Sequence, residues 1–286
     1  MNEIIASPLL DMPTLYVVAT PIGNLRDLSP RARDTLAAVD VVAAEDTRHS
    51  QRLLDAFNIR AKRLLALHQH NEQQSAGKII ECLGEGQHVA LITDAGTPAI
   101  SDPGARLVAR VREAGYTVSP VPGACAAVAA LSVAGIIEGG FRFIGFLPAK
   151  MQSRRAALTL LSGERDALVF YEAPHRVEQC VADMAEVFGG EREILIAREL
   201  TKLHEEIAAM PLAQVGAWFA ADANRCRGEF VLIVHGAEVS DGVDASALRV
   251  LALLLDELPL KTAVRLAAGI TGASRKGLYA HALERK

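Results

Sequence analysis

The sequence lacks three features that would assign it to a familiar class: paired cysteines, a long apolar run and a secretion signal. Its four cysteines, Cys82, Cys125, Cys180 and Cys226, are scattered and form no CxxC pair, so neither a disulfide framework nor a zinc site is indicated. The apolar stretches, such as residues 231–234 and 250–255, are far shorter than the roughly 20 residues that cross a bilayer. We therefore expect a cytoplasmic protein with no membrane segment and no metal ion.

A strong net charge is also absent. The formal charge is -4 over 286 residues, which argues against the strongly basic surface of a nonspecific nucleic-acid binder. Residues 241–286 nevertheless carry seven Lys and Arg against five Asp and Glu. The sequence is therefore compatible with a local basic face in this segment.

Three common active-site signatures are missing. No GxGxxG follows the first predicted strand, and neither GxxxxGK[ST] nor GxSxG occurs, so a Rossmann site, a P-loop and a nucleophile elbow are not supported. His68 and His70 have no third ligand at a suitable spacing, and we expect them to be exposed loop residues rather than metal ligands.

The sequence does contain the alternation of strands and helices that is typical of α/β domains. Apolar runs at 15–19, 39–44, 63–67, 89–92 and 117–121 predict a parallel sheet in a first domain, residues 13–121. Runs at 141–146, 167–171, 193–197, 206–209 and 229–235, with helices near 153–161 and 176–188, predict a second domain, residues 122–236. Its shorter connections favour a mixed sheet with antiparallel pairs.

A small helical tail is predicted after a linker at residues 236–245. Helices at 248–258, 261–268 and 274–283 are separated by Pro259 and by the Gly269-Ile270-Thr271-Gly272 run. This tail, residues 245–286, resembles a helix-turn-helix arrangement, and an element for dimerisation or packing is the open alternative.

Polar clusters follow the predicted strands, where ligands bind in open α/β sheets. The clearest case is the apolar run 90–92, which ends in Thr93-Asp94-Ala95-Gly96-Thr97-Pro98. We expect Asp94 to lie at a binding site for a small molecule. The alternative is that Asp94, Gly96 and Pro98 only form a turn.

These clusters together resemble one family. The segments are Thr20-Pro21-Ile22-Gly23-Asn24-Leu25, Ala44-Glu45-Asp46-Thr47-Arg48, the Asp94 turn, Pro122-Gly123-Ala124, Phe170-Tyr171-Glu172-Ala173-Pro174-His175-Arg176, Arg198-Glu199-Leu200-Thr201-Lys202 and Arg227-Gly228-Glu229-Phe230. In order, from about Thr14 to Val234, they are similar to the ribosomal small-subunit RNA 2'-O-methyltransferases, a branch of the tetrapyrrole methylase superfamily. The chain departs from the usual sequence of this family at two places: Thr93 stands where Ser is usual, and Ala124-Cys125 stands where Pro-Ser is usual. In both places small residues replace small residues.

The resemblance implies a class III methyltransferase fold: two α/β domains with S-adenosylmethionine in the cleft between them, plus the helical tail. It also implies a homodimer, and as substrate the ribose 2'-hydroxyl of a cytidine in the decoding region of 16S rRNA, free or in the small ribosomal subunit. The cofactor residues that it implies are Pro21, Gly23, Asp94, Ala95, Gly96, Ile100, Ser101, Pro122, Gly123, Ala124, Cys125, Ala126, Tyr171 and Phe230.

A ribose hydroxyl is a poor nucleophile at neutral pH, so a side chain should accept its proton or polarise it. The polar candidates at strand ends are Glu45, Asp46, His70, Glu172 and Lys202. Lys202 would act through its positive charge, or as a base if burial depresses its pKa. For each candidate, a salt bridge or a turn cap is the alternative.

Several basic residues are candidates for contacts with RNA phosphates. They are Arg26, Arg48, Arg154, Arg155 and Arg176, with Lys202 beside them. For Arg154 and Arg155 the alternative is that they only solvate a helix.

Two other functions stay open at this point. A precorrin-type C-methyltransferase would explain the cofactor segments but would leave the arginine motifs and the tail without a role. A noncatalytic RNA-binding or ribosome-binding protein would bind RNA without transferring a methyl group.

Overall fold

The computed structural model describes residues 11–67, 72–136, 139–237 and 245–284. His68, His70 and most of the predicted linker at 236–245 lie outside these described residues. Within the described ranges, none of the helices is long and apolar enough to cross a membrane.

The first sheet is entirely parallel, as its pattern of apolar runs predicts. Its strands are β1 (Thr14–Val18), β2 (Val41–Ala44), β3 (Leu64–Ala66), β4 (Val89–Ile92) and β5 (Thr117–Val121). They lie in the order β3-β2-β4-β1-β5, and all four pairs are parallel. Pro120 is tolerated in β5 because this edge strand pairs only with β1 among the described residues. The carboxyl ends of β1, β2 and β4 therefore meet at one edge of the sheet.

Four helices connect these strands: α1 (Pro30–Ala38), α2 (Thr47–Ala56), α3 (Glu72–Gly84) and α4 (Ala105–Glu113). The start of α1 is fixed by a Ser-Pro pair, because the Ser29 hydroxyl accepts the Ala32 N–H at 3.1 Å and Pro30 occupies the first turn. Asp46 caps α2 in the same way, accepting from the N–H groups of Arg48 and His49. These hydrogen bonds lower the pKa of Asp46.

The second sheet is mixed, which confirms the prediction for this half. Its strands are β6 (Phe141–Phe146), β7 (Ala167–Glu172), β8 (Glu193–Arg198), β9 (Glu206–Pro211) and β10 (Phe230–Val234), in the order β6-β7-β10-β8-β9. The β6–β7 pair is parallel and the other three pairs are antiparallel. Its helices are α5 (Ala126–Ser132), α6 (Met151–Leu161), α7 (Val177–Phe188) and α8 (Leu212–Ala221). The domain boundary at residues 121 and 122 stays a prediction.

Three further helices form the C-terminal tail: α9 (Ala245–Glu257), α10 (Leu260–Thr271) and α11 (Arg275–Glu284). They share a small core that includes Leu251, Val264 and Leu278. The predicted break at Gly269 is wrong: α10 runs through it, since one glycine costs a helix only about 1 kcal/mol. The helix ends at Gly272, whose φ of 72° is left-handed. The Arg165 guanidinium, next to the second sheet, donates to the Gly272 carbonyl at 3.2 Å.

Candidate active site

A cavity of about 340 Å³ lies between the carboxyl edge of the first sheet and one end of the second sheet. The first wall of this cavity is formed by Ile22, Ala95, Gly96, Thr97, Ile100, Ser101 and Asp102. The second wall is formed by Cys125, Ala126, Phe146, Tyr171, Glu172, Ala173, Pro174, Ala197, Leu200, Glu229, Phe230 and Val231.

The shape of the first wall is set by the turn that follows β4. Thr20 and Gly96 exchange two backbone hydrogen bonds, of 2.9 and 3.1 Å, which attach this turn to the end of β1. Ala99 and Ser101 have positive φ values of 68° and 67°, a conformation that costs a non-glycine residue of order 1–3 kcal/mol and is kept only where the surroundings enforce it. Gly104 allows close packing, because a Cβ there would lie 2.9 Å from Leu91 Cδ2. The turn is thus built around the cavity, not simply exposed.

Carboxylates without cationic partners surround the first wall. The Thr93 hydroxyl donates to Glu45 Oε2 at 2.7 Å, and Asp94 Oδ1 accepts the Asp46 N–H at 3.2 Å. Burial raises the pKa of Asp102 to about 6, and the nearby Glu45 carboxylate adds to the shift. None of the ion pairs in the described ranges involves Glu45, Asp94 or Asp102. The first wall therefore favours a positively charged ligand.

The second wall is aromatic at its centre. Tyr171 packs edge-on against Phe143 and Phe146, with ring centroids 5.1 and 5.7 Å apart. Its hydroxyl accepts the Ala127 N–H at 3.1 Å, and burial raises its pKa above the ordinary value. Tyr171 is therefore a neutral phenol that connects β7 to the start of α5.

Glu172 is engaged inside the protein. Its Oε1 accepts the Ala173 N–H at 2.8 Å and lies 3.3 Å from Arg176 Nε, while Arg176 also donates to the Leu147 carbonyl at 2.7 Å. The Glu172 side chain has no exposed surface. This geometry shows Glu172 and Arg176 as an ion pair; a catalytic role for Glu172, which also lines the cavity, and an RNA contact for Arg176 stay predictions.

Lys202 lies between two carboxylates in the loop after β8. Its Nζ is 2.8 Å from Glu199 Oε1 and 2.7 Å from Glu229 Oε2. Burial lowers the pKa of Lys202, but the hydrogen bonds that its ammonium donates to both carboxylates outweigh burial and raise the pKa overall. Lys202 is therefore a cation, and the alternative in which burial turns it into a base does not hold for this geometry.

The Lys202 loop also reaches across the cleft to Gly23. A Cβ at residue 23 would lie 2.5 Å from Lys202 Cγ and 2.9 Å from Thr201 Oγ1. Glu199 and Thr201 have positive φ values of 51° and 67°, so this loop, like the turn after β4, is held in an unfavourable conformation by its surroundings.

Most of the predicted cofactor residues gather at one place. Ala95, Gly96, Ile100, Ser101, Cys125, Ala126, Tyr171 and Phe230 line the cavity. Pro21, Gly23, Asp94, Pro122, Gly123 and Ala124 are not among its lining residues, but belong to the loops that support it; the Ala124 carbonyl, for example, accepts the Thr97 hydroxyl at 3.0 Å. Whether these residues bind a cofactor stays a prediction.

Sequence reasoning missed two carboxylates of the cavity, Asp102 and Glu229. Asp102 follows the Asp94 turn in the same loop after β4, and Glu229 directly precedes the predicted cofactor residue Phe230 in a segment of the family resemblance. Both positions are therefore in or next to recognised motifs, but their exposure to the cavity depends on the packing of the loops.

Among the predicted RNA contacts, Arg154 is wrong. It is 1 % exposed, and its Nε pairs with Asp183 at 2.6 Å, so it is not available to a phosphate. Arg155 also pairs with Asp183, at 2.7 Å. Arg26 and Arg48 are exposed, and for them a contact with RNA stays a prediction.

The chain is similar to known proteins over most of its length. The profile of the tetrapyrrole (corrin/porphyrin) methylases matches residues 14–216. A protein named ribosomal RNA small subunit methyltransferase I, from Pseudomonas aeruginosa, is 53 % identical over 96 % of this chain and 98 % of its own length. The chain belongs to the tetrapyrrole methylase family. Within that family, a relative of the same name from Escherichia coli O157:H7 is 51 % identical over 95 % of both chains.

Two further matches extend the family assignment. The profile described as the RsmI C-terminal HTH domain matches residues 241–286 of this tetrapyrrole methylase family member. Uroporphyrin-III C-methyltransferase from Thermus thermophilus, in complex with S-adenyl homocysteine, superposes with a TM-score of 0.55 at 16 % identity, covering 78 % of this chain and 97 % of its own. At that identity the likeness shows the fold alone, and it confirms the predicted methylase fold, while the profile match and the helices α9 to α11 confirm the helical addition.

Proposed function

We propose that the chain is an S-adenosylmethionine-dependent methyltransferase of small-subunit ribosomal RNA, and that its target is the ribose 2'-hydroxyl of a cytidine in the decoding region of 16S rRNA. One observation carries the proposal: the cavity has the carboxylate of Asp102 on its first wall and that of Glu229 on its second wall, and Glu229, together with Glu199, holds the adjacent Lys202 cation. A positively charged methyl donor fits the first wall, and an acceptor hydroxyl fits beside the second.

The residues present fit this cofactor. The volume of about 340 Å³ lies within the range of roughly 300–1,000 Å³ that is usual for small-molecule pockets. Asp102, with Asp94 and Glu45 behind it, provides the negative charge that a sulfonium and an ammonium group require. Gly96, Ile100, Ala126, Tyr171 and Phe230 provide the predicted contacts to its neutral parts. When bound, S-adenosylmethionine supplies a methyl group on an already strong electrophile.

The chain's own residues must align the hydroxyl and remove its proton. The Lys202 ammonium would donate to the ribose oxygen and lower the pKa of the hydroxyl. Glu229 would accept the proton, because its carboxylate lies 2.7 Å from Lys202 Nζ, has a 74 % exposed side chain and borders the cavity. Glu199 is less exposed, at 18 %, and would hold Lys202 in position.

The other candidates take supporting roles in this proposal. Glu45 fixes Thr93 at the end of β4, and Glu172 fixes the start of the segment after β7. His70 lies outside the described residues and stays a candidate base. Arg26 and Arg48, both exposed after strand ends, would contact RNA phosphates. A homodimer in the cytoplasm remains part of the proposal.

The two alternatives are less well supported. The relatives named as ribosomal RNA methyltransferases are 53 % and 51 % identical, whereas the matched solved structures of porphyrin and precorrin methyltransferases are 16–19 % identical. The names of these relatives also favour an enzyme over a noncatalytic binding protein.

The test is transfer of a labelled methyl group from S-adenosylmethionine to purified small ribosomal subunits from cells that lack this activity. The modified nucleotide is then mapped by mass spectrometry, with Lys202→Gln as the inactive control. We expect one methyl group on a ribose 2'-oxygen of 16S rRNA. Methylation of a tetrapyrrole ring instead, or cofactor binding with no transfer to subunits, would overturn the proposal.

A further inference from the structure

A second concave surface lies far along the chain from the cleft, between the last two helices. We call it the α10–α11 groove. It has a volume of about 630 Å³ and is lined by Lys261, Val264, Arg265, Arg275, Lys276, Tyr279, Ala280 and Leu283. The functions assigned to the cleft do not use it.

The groove carries four exposed cations: Lys261 and Arg265 on α10, and Arg275 and Lys276 on α11. In the described part of the chain, none of them forms an ion pair. By contrast, Arg142, Arg155, Lys202 and Arg225 in the second domain all have acidic partners. The groove is thus a concentration of positive charge on a chain whose formal charge is -4.

The placement of these cations does not help the helix that carries them. The first turn of α11 contains Arg275 and Lys276 and no acidic residue. Positive side chains are unfavourable at a helix N-terminus, where the helix dipole is itself positive. An anionic partner in the groove would compensate this repulsion.

The groove also holds an exposed aromatic ring. Tyr279 is 37 % exposed and its neighbour on the same face, Leu283, is 52 % exposed, while Val264 beneath them is 4 % exposed. Arg275 and Tyr279 are four residues apart on α11, as Lys261 and Arg265 are on α10, so members of each pair are separated by about 6 Å along the helix axis. Rows of cations around a flat aromatic surface are what a single nucleic-acid strand requires, because phosphates pair with the cations and a base stacks on the ring.

We propose that the α10–α11 groove binds a single-stranded segment of the substrate RNA, with phosphates on Lys261, Arg265, Arg275 and Lys276 and a base stacked on Tyr279. This inference rests on the proposed function, which supplies the RNA. The turn beside the groove contacts the second domain through the hydrogen bond from Arg165 to the Gly272 carbonyl.

The experiment compares two charge-matched variants of the full chain. Arg265→Gln with Lys276→Gln removes two groove cations, and Lys78→Gln with Arg112→Gln removes one Lys and one Arg that are exposed on α3 and α4. Affinity for naked 16S rRNA and for small subunits is measured at several salt concentrations. Two lost phosphate contacts predict a salt slope that is smaller by about 1.4 and an affinity that is about tenfold lower near 0.15 M salt. The α3–α4 pair should match the unmodified protein.

Tyr279 gives an independent readout. Tyr279→Ala should lower RNA affinity about tenfold without changing the salt slope, because stacking is not a charge interaction, and Tyr279→Phe should restore most of the affinity. Thermal unfolding checks that each variant keeps its fold.

Cofactor binding and the rate at saturating RNA distinguish a failure of this inference from a failure of the proposed function. If the unmodified protein methylates subunits but the groove variants bind RNA as it does, the groove inference is overturned. If they lose affinity for subunits and not for naked rRNA, the occupant is a protein and the inference is likewise overturned. If the unmodified protein transfers no methyl group, the proposed function fails first.

Discussion

The two walls of the cleft differ in whether their carboxylates have cationic partners. On the first wall, Asp102 and its neighbours Glu45 and Asp94 have hydrogen bonds but no cationic partners in the described part of the chain. On the second wall, Glu172 is paired with Arg176 behind it, and Glu229 is paired with the adjacent Lys202, which Glu199 also contacts. The first wall is therefore open to a positive ligand, whereas each of these carboxylates at the second wall already contacts a cation, and Lys202 is held at a fixed place between two of them.

This difference predicts that the first wall determines the affinity for the cofactor and that Lys202 determines the rate of methyl transfer. Uncompensated negative charge contributes to the affinity for a cationic methyl donor, because the ligand supplies the missing partner. A clamped lysine contributes little to that affinity, but it provides an oriented charge where a hydroxyl must lose its proton. Substitutions on the two walls should consequently affect different measured quantities.

The largest expected effect is that of Lys202→Gln on the second wall. Removing the cation should slow methyl transfer by about 10²- to 10⁴-fold and leave cofactor affinity within about a factor of two. Single-turnover transfer of labelled methyl groups and calorimetric binding of the cofactor measure the two quantities separately. Lys202→Arg is the control, and it should retain more activity than Lys202→Gln because it keeps the charge. Native transfer rates in Lys202→Gln would contradict the division of roles.

The second prediction concerns how much an ion pair outside the cleft contributes to the free energy of unfolding. Arg154 and Arg155 are adjacent and both bind Asp183, but their side chains are 2 % and 37 % exposed. Arg154→Met should lower the free energy of unfolding by about 3 kcal/mol, because it leaves a buried carboxylate with a weakened set of partners. Arg155→Met should cost less than about 1 kcal/mol. Urea unfolding followed by circular dichroism measures both losses of stability. Equal losses in the two variants would contradict this prediction.

The smallest expected effect concerns the first wall and depends on pH. The pKa of Asp102 is raised from 3.8 to about 6, first by burial, so its charged form is disfavoured in the free protein. A bound cation would favour the charged form, and S-adenosylmethionine should then bind about tenfold more weakly at pH 5 than at pH 7.5. Asp102→Asn should remove this dependence, and calorimetry at both pH values measures it.

The same shift has a consequence for stability with the opposite sign. Since the folded protein holds this proton more tightly than the unfolded chain, the stability of the ligand-free protein should fall as pH rises from about 4 to about 6. In Asp102→Asn the thermal midpoint should lose that component of its pH dependence. If Asp102→Asn leaves the pH dependence of cofactor binding unchanged, Asp102 does not face the cofactor.

The sequence allowed most of the fold to be predicted, because the determinants were local. The strands β4 and β5 match the predicted ranges 89–92 and 117–121 at every residue, since each apolar run is bounded by turn residues. The end of α10 could not be placed in this way. Both Gly269 and Gly272 are candidates, and the structure shows the left-handed φ at Gly272.

The site was predicted less completely, because its chemistry depends on contacts between distant segments. The clamp on Lys202 forms because β8 and β10 are antiparallel neighbours, with Phe230 opposite Arg198, and strand order is not visible in a single sequence. The burial of Arg154 had a detectable signal. It shares the buried face of α6 with Leu158 and Leu161, at spacings of four and seven residues that mark one side of a helix.

The contact between Gly23 and Lys202 has a consequence for the dimensions of the cleft. The stem of Lys202 occupies the space that a methyl group at residue 23 would need, so the separation of the walls at this point depends on a glycine hydrogen. A larger residue there would act as a spacer, and displacing reacting groups by 1 Å can slow a reaction by about 10²-fold. The distance across which the methyl group is transferred therefore depends in part on the absence of a side chain at residue 23.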